Sequence, residues 1–223
     1  MSAEKKNTLK QYLIRIPILL IGLTIAHLGV TLFLLSNLGS DPYNVLIQGL
    51  FRTFDSFTLL PLTHGTTHVL ISLLIILILL LLDKHYIKIG TLLCMLFGGP
   101  IIDLFSILLS KFNLHTLPLP GRILILSAGC TILAFGMTIV INSEAGTGPN
   151  DLVAIVLSDK TKVRFSVMRV LVDSTFVITG FFLGGTLGVG TIICALLVGP
   201  IAGYFLPITK KIIQKTISGL FLK

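Results

Sequence analysis

The stretch GLTIAHLGVTLFLLSNLGSDPYN at residues 22–44 aligns without gaps to GCTILAFGMTIVINSEAGTGPND at residues 129–151. Eight of these 23 positions are identical, among them Gly22/Gly129, Gly29/Gly136, Gly39/Gly146 and Pro42/Pro149. Further along, GTLLCMLFGGPIIDLF at 90–105 aligns to GTIICALLVGPIAGYF at 190–205, with eight of 16 positions identical. The offset falls from 107 to 100, so the second half lacks seven residues between the blocks. Two matched blocks in the same order mark an internal repeat. Each block lies in or beside a long apolar run, so the repeated unit is a group of hydrophobic segments.

Six such segments are long enough to cross a bilayer, which takes about 20 residues. They lie near 14–36, 66–83, 87–109, 121–142, 165–184 and 188–208. Two more, 42–54 and 149–158, are too short to span: thirteen residues of helix reach only about 20 Å. The composition agrees with a polytopic helical protein. Of 223 residues, 54% are hydrophobic and only 12% charged, against about 25% charged in a soluble domain. A soluble enzyme, a disordered chain and a secreted disulfide scaffold are excluded. The first apolar run is too long for a signal-peptide core, so it is expected to be retained as a helix.

The net charge of +8 serves topology rather than nucleic-acid binding. With the N-terminus cytoplasmic, fourteen of the 17 basic residues fall on the inner side. Only Arg52, Lys111 and Arg122 fall outside, as the positive-inside rule requires. If 42–54 also crossed, Lys84 and Lys88 would move outside. The expectation is therefore an all-α membrane protein, a single membrane domain over 1–223. It has six transmembrane helices in two inverted three-span repeats, about 14–109 and 121–208, with both termini cytoplasmic in the cell (plasma) membrane. An odd number of spans per repeat inverts the second copy. Inverted repeats recur in transporters, whose solute sites lie at the repeat interface.

Each repeat carries a Gly-containing turn, a proline and a short apolar helix: Gly39-Ser40-Asp41-Pro42 and Gly146-Thr147-Gly148-Pro149. Proline is favoured at the first helical position, and Asp41 is a good N-cap. Two geometries are open. Each short helix lies flat at its interface, or it dips inward and returns, bringing two positive helix N-termini towards the midplane. The second would suit an anion or a polar carbonyl.

Ionisable residues at membrane depth are site candidates. His27 shares a helix face with Thr24 and Thr31, and its counterpart is Ala134. Ser166, Arg169 and Asp173 form a second stripe, in which Arg169 and Asp173 are one turn apart; a structural ion pair and a solute or proton gate both remain open. Asp103 follows Gly99-Pro100 by one turn. The Gly-Pro pairs at 99–100 and 199–200 are expected to interrupt their helices. Gly22, Gly29 and the glycine-dense 184–190 read as close helix contacts. Cys94, Cys130 and Cys194 lie in apolar runs, so neither disulfides nor a metal site is expected. His64 and His68 are a weak metal signal. No catalytic motif is present, and neither an enzyme nor a cofactor is expected.

Together, LGSDPYNVLIQGL, SEAGTGPNDLVAIVL, MRVLVDSTFVITGFFLGGTLGVGTIICALLVGP and IGTLLCMLFGGPIIDLF resemble the bacterial YczE/YyaS-like, YitT-related integral membrane proteins. The resemblance covers about 14–208 and matches at Gly39, Pro42, Gly146, Gly148, Pro149, Asp151, Arg169, Asp173, Gly190, Thr191, Gly199 and Pro200. It departs at Tyr43, where the pattern leads to an expectation of tryptophan. The resemblance implies a plasma-membrane protein of transporter-like character and supplies no substrate. The functional expectation is a secondary transporter or permease for a small polar or anionic solute. Its site is expected from His27, Asp41, Asn44, Asp103, Gly146, Gly148, Asp151, Arg169 and Asp173. The rival is a non-transporting membrane factor that assists or regulates a partner. The expected partners are the lipid bilayer and the solute, with a homo-oligomer or membrane-protein partner left open and no nucleic acid.

Overall fold

The computed structural model describes residues 3–39, 41–55, 64–82 and 86–221; it leaves undescribed the side chains of 3–11, 55, 64–66, 68, 82, 103 and 219–221. Among the described residues the secondary structure is helical. The helices are α1 (Ala3–Leu35), α2 (Pro42–Asp55), α3 (His64–Leu82), α4 (Ile89–Ser110), α5 (Leu119–Asn142), α6 (Pro149–Thr161), α7 (Phe165–Phe182) and α8 (Val189–Phe221). A short 3₁₀ turn at Leu114–Thr116 joins α4 to α5. Each of the six expected spans coincides with one of the longer helices. Five of these are long and apolar enough to cross a membrane, and α3 contributes the shorter apolar stretch Val69–Leu81.

Two boundaries differ from expectation. Helix α1 begins before residue 14, and α8 runs past 208 to Phe221. The extensions are amphiphilic and lysine-rich, so the hydropathy window stops short while helix propensity carries on. The Gly-Pro pairs do not interrupt their helices either. Both α4 and α8 run on through Pro100 and Pro200, because neighbouring turns absorb a missing backbone bond.

The surface establishes what surrounds this fold. Leu81 is 89% exposed, Phe182 82%, Ile107 73% and Leu124 71%. A water-soluble chain does not display leucine and phenylalanine over so much of its helical surface. In lipid the same residues face their own solvent, and the helices satisfy their backbone groups internally. The chain is an all-α, multi-pass membrane protein.

The centre is an antiparallel crossing of α1 and α5, set by the repeated glycines. A Cβ at Gly29 would lie 2.6 Å from the Gly129 carbonyl oxygen, and one at Gly136 would lie 2.7 Å from the Gly22 carbonyl oxygen. Rising numbers on α1 thus meet falling numbers on α5. Small residues let the backbones approach, which drives helix association where lipid removes the hydrophobic contribution.

Further contacts recur in equivalent pairs. The Gly90 N–H donates to the Ala145 carbonyl at 2.9 Å, and the Gly190 N–H donates to the Leu38 carbonyl at 2.9 Å. Gly39 and Gly146 both adopt φ of 141°, a conformation closed to side-chain-bearing residues. Arg122 donates to the carbonyls of Ser36 and Asn37 at the end of α1. Its repeat counterpart, Arg15, pairs with Glu144 at the end of α5 at 2.8 Å.

The short helices pack lengthwise against a long helix of the opposite half. On α2, Tyr43 stacks against Phe176 and, further along, Arg52 donates to the Gly184 carbonyl just past the end of α7. On α6, Leu152 and Val156 pack with Leu79, and the Tyr86 hydroxyl donates to Asp159 at 2.9 Å. Each short helix therefore runs parallel to its neighbour and finishes at the same end.

A cavity between the short-helix N-termini

The first turns of α2 and α6 open on one cavity of about 570 Å³, within the range of small-molecule sites. Helices α1, α4 and α5 form its apolar walls, through residues such as Leu23, Val30, Met95, Leu133 and Met137. It reaches Gly99 and Pro100 on α4 and Val69 on α3. There the halves differ: a Cβ at Gly99 would meet no described atom within 4 Å, whereas one at Gly199 would meet the Ser166 carbonyl oxygen at 2.5 Å. Helices α7 and α8 are closed on each other where α4 borders open space.

A helix start leaves backbone N–H groups without partners. Pro42 and Pro149 each occupy the first position and have no N–H to lose. At α2 the Asp41 carboxylate caps the helix: it accepts from the Asn44 N–H at 3.2 Å and from the Asn44 side-chain amide at 2.5 Å. At α6 the cap is Gly148, and the carboxylate sits three residues later, on Asp151 in the first turn. Each N-terminal dipole thus already faces a negative charge built into the chain.

Arg169 reaches this point from α7 and is 6% exposed. Its Nη1 donates to Asp151 Oδ1 at 2.5 Å and its Nε to Asp173 Oδ2 at 2.9 Å. The Asn150 amide also donates to Asp151 Oδ1, at 3.0 Å. Asp173 is 1% exposed, and its Oδ1 has no hydrogen-bond partner. Three carboxylates, those of Asp41, Asp151 and Asp173, therefore stand with one guanidinium in and behind the cavity wall.

His27 faces the cavity from α1. Its Nδ1 lies 2.7 Å from the Leu23 carbonyl. A carbonyl only accepts, so Nδ1 carries the proton and a neutral ring presents Nε2 as an acceptor. That nitrogen abuts Gly98, where a Cβ would lie 2.8 Å away.

Of the residues singled out from the sequence, His27, Asp41, Asn44, Gly148, Asp151 and Arg169 line this one cavity. Asp173 stands behind Arg169. Gly146 lies elsewhere: it packs its backbone on Gly90 and Thr91 and borders a separate pocket of about 200 Å³. The side chains of Asp103, His64 and His68 lie outside the described residues. The hydroxyl members of the two polar stripes make other contacts. Thr24 and Thr31 donate to carbonyls of their own helix, Leu20 and His27, each at 2.8 Å, and Ser166 faces the α8 glycines.

Sequence reasoning missed the Arg169–Asp151 bond, which joins residues 18 apart on different helices. It also noted Tyr43 only as a departure from the family pattern and not as a site residue, although its hydroxyl bonds to Ser72 at 2.9 Å beside the cavity. Cys94 and Cys194 both line the cavity. They are identical pairs in the repeat alignment, so that alignment carried a signal for them.

These features belong to a class of polytopic membrane protein with a largely apolar, partly open cavity on which charged and polar side chains converge. The chain belongs to the family of unknown function DUF6198, whose model matches residues 13–207. It is 30% identical over 187 residues to the uncharacterized membrane protein YczE of Bacillus subtilis, covering 83% of this chain and 82% of that protein. An uncharacterized protein of Haemophilus influenzae is 30% identical over 199 residues, covering 88% and 85% of the two chains. The uncharacterized protein YyaS of Bacillus subtilis is 25% identical over 191 residues, covering 86% and 92%. The resemblance to the YczE and YyaS proteins read from the motifs is met. No solved structure matches the chain.

Proposed function

We propose that the chain is a secondary transporter or permease for a small polar solute, which binds in the cavity between the two halves. The observation that carries this reading is that the N-termini of α2 and α6 open on the same cavity. Discontinuous helices that start at a shared interior site are the binding architecture of inverted-repeat transporters. A purely structural bundle has no use for about 570 Å³ of space lined by carboxylates, a guanidinium and an imidazole; burying such groups in lipid is costly.

In this reading the halves are inverted three-span repeats, about 14–109 and 121–208, and α2 and α6 are re-entrant. The antiparallel α1–α5 crossing and the paired Gly90–Ala145 and Gly190–Leu38 bonds support that arrangement. The fourteen-to-three charge split supports cytoplasmic termini. His27, Asp41, Asn44, Asp151 and Arg169 contact the solute, and Asp173 positions Arg169.

The test is flux of labelled solutes into proteoliposomes holding the purified full chain. Saturable uptake that the protein alone confers supports the proposal. Absence of uptake across a broad polar solute set, with a membrane partner co-purifying, would favour a non-transporting assistant factor.

A further inference from the structure

The charge around the cavity has a sign, and it is not the sign that two bare helix N-termini would give. We infer that the cavity takes an organic cation, a protonated amine with an apolar body, with its ammonium group between Asp41 and Asp151. The inference rests on the reading of this cavity as a solute site and narrows the class of solute.

Three independent features point the same way. Both helix N-termini already hold an internal carboxylate, Asp41 on α2 and Asp151 on α6. An incoming anion would have to displace or lie against these groups, and like charges in a low-dielectric site repel strongly. Next, the single guanidinium divides itself between Asp151 and Asp173. It leaves the Asp41 charge uncompensated by any described ion pair, and Asp173 Oδ1 without a donor. The cavity-lining charge without an ion-pair partner among the described residues is thus a carboxylate, that of Asp41. The third feature is His27, which lines the cavity as a neutral ring, its Nδ1–H committed to the Leu23 carbonyl and its Nε2 beside Gly98, so that it adds no positive charge. Two carboxylates at one cavity suit the N–H donors of an ammonium.

The rest of the cavity sets the body of the solute. Met95, Leu133 and Met137 supply apolar wall, and the volume of about 570 Å³ far exceeds a bare metal ion or ammonium. Methionine side chains adapt to varied apolar shapes.

The experiment is isothermal titration of the purified full chain with matched probes: benzylammonium against benzoate and benzyl alcohol, and butylammonium against butyrate. Saturable binding of at least one ammonium probe is expected, at least tenfold tighter than its carboxylate or alcohol counterpart. Asp41→Asn and Asp41→Ser remove the charge while retaining good N-cap residues. Each is expected to weaken the ammonium probe at least tenfold while the protein still elutes as a single folded species. Equal or tighter binding of the carboxylate probes overturns the inference, as does the absence of saturable ammonium binding. Unchanged ammonium affinity in a folded Asp41 variant overturns it as well. Flux separates this result from the transport proposal. Ammonium binding without uptake of any solute leaves the cation assignment standing and removes the transporter. Uptake of an anion or neutral solute without ammonium binding does the reverse.

Discussion

Replacing Arg169 with glutamine should be the most destabilising single change among the cavity's charged residues. The guanidinium is 6% exposed and is the only charge partner among the described residues of both Asp151 and Asp173. Asp173 is 1% exposed and already lacks a donor to one oxygen. Removing one member of a buried pair costs about 3–5 kcal/mol, because the partner stays charged in low dielectric. Asp151 retains 17% side-chain exposure and the Asn150 amide, so most of this cost falls on Asp173. For a chain of 150–250 residues, about 2–4 °C in Tm accompanies each kcal/mol, which gives a drop of about 6–20 °C. Asp173→Asn should cost less than half as much, since Arg169 keeps Asp151 and the asparagine oxygen still accepts from Nε. The double variant Arg169→Gln with Asp173→Asn should recover most of the loss. The chain has no tryptophan, so the folded fraction is best followed by size-exclusion recovery after heating in detergent. An Arg169→Gln protein that melts within about 2 °C of the parent, or a double variant no better than the single, would refute the account.

The same chemistry and packing make further predictions. Identical glycines at equivalent positions should behave oppositely: Gly99→Ala should leave thermal stability within about 0.5 kcal/mol, as a substitution into open space does. Gly199→Ala, pressed on the Ser166 carbonyl, should cost about 1–3 kcal/mol by overpacking. Gly29→Ala should cost at least as much, because its Cβ meets α5 backbone; a Gly29→Ala protein as heat-resistant as the parent would remove the glycine crossing from the account. Gly146→Ala combines a φ of 141° with contact on Gly90, and strain of this kind costs about 1–3 kcal/mol. Single cysteines placed at 110–120 should label from outside intact cells and those at 159–164 should not; external labelling at 159–164 would overturn the inverted-repeat proposal.

The scaffold was legible in the sequence because its determinants are local or duplicated. Apolar run length located the long helices, proline and Asp41 located the start of α2, and Gly22 and Gly29 were readable as close helix contacts, although their partners Gly129 and Gly136 were not. The helix ends in lysine-rich segments were not legible, because hydropathy is silent where a helix leaves lipid. Nor was the course of Pro100 and Pro200, since whether a proline breaks a helix depends on the neighbours that absorb the lost bond. The residues of the cavity were legible as candidates, through their polarity at membrane depth. Their partnerships were not. The Arg169–Asp173 pair lies one turn apart and could be read; the Arg169–Asp151 bond depends on how α6 meets α7, which no spacing encodes.

The duplicated and the unduplicated residues divide by task. Most positions identical in both halves are glycines, prolines and small hydroxyl residues, and several of these set backbone approach: Gly29/Gly136 at the crossing, Gly39/Gly146 at the turn, and Gly90/Gly190 beside the bonds to Ala145 and Leu38. The cavity's charges occupy positions where the halves disagree. His27 stands opposite Ala134, Asp41 opposite Gly148, Asp151 opposite Asn44, and Arg169 opposite Val69. Backbone packing tolerates symmetry, and the α1–α5 crossing exploits it. In the proposed transporter, a single solute in the middle cannot contact two copies of every charge without the copies meeting each other, and duplicated guanidiniums at such range would repel. Divergence at the centre is therefore what a duplicated scaffold with one shared site requires. The carboxylate at the start of each short helix marks how far it went: α2 has it at the N-cap, on Asp41, and α6 in the first turn, on Asp151, and only Asp151 pairs with Arg169. Among the described residues, Asp41 is left at the cavity without a cation of its own.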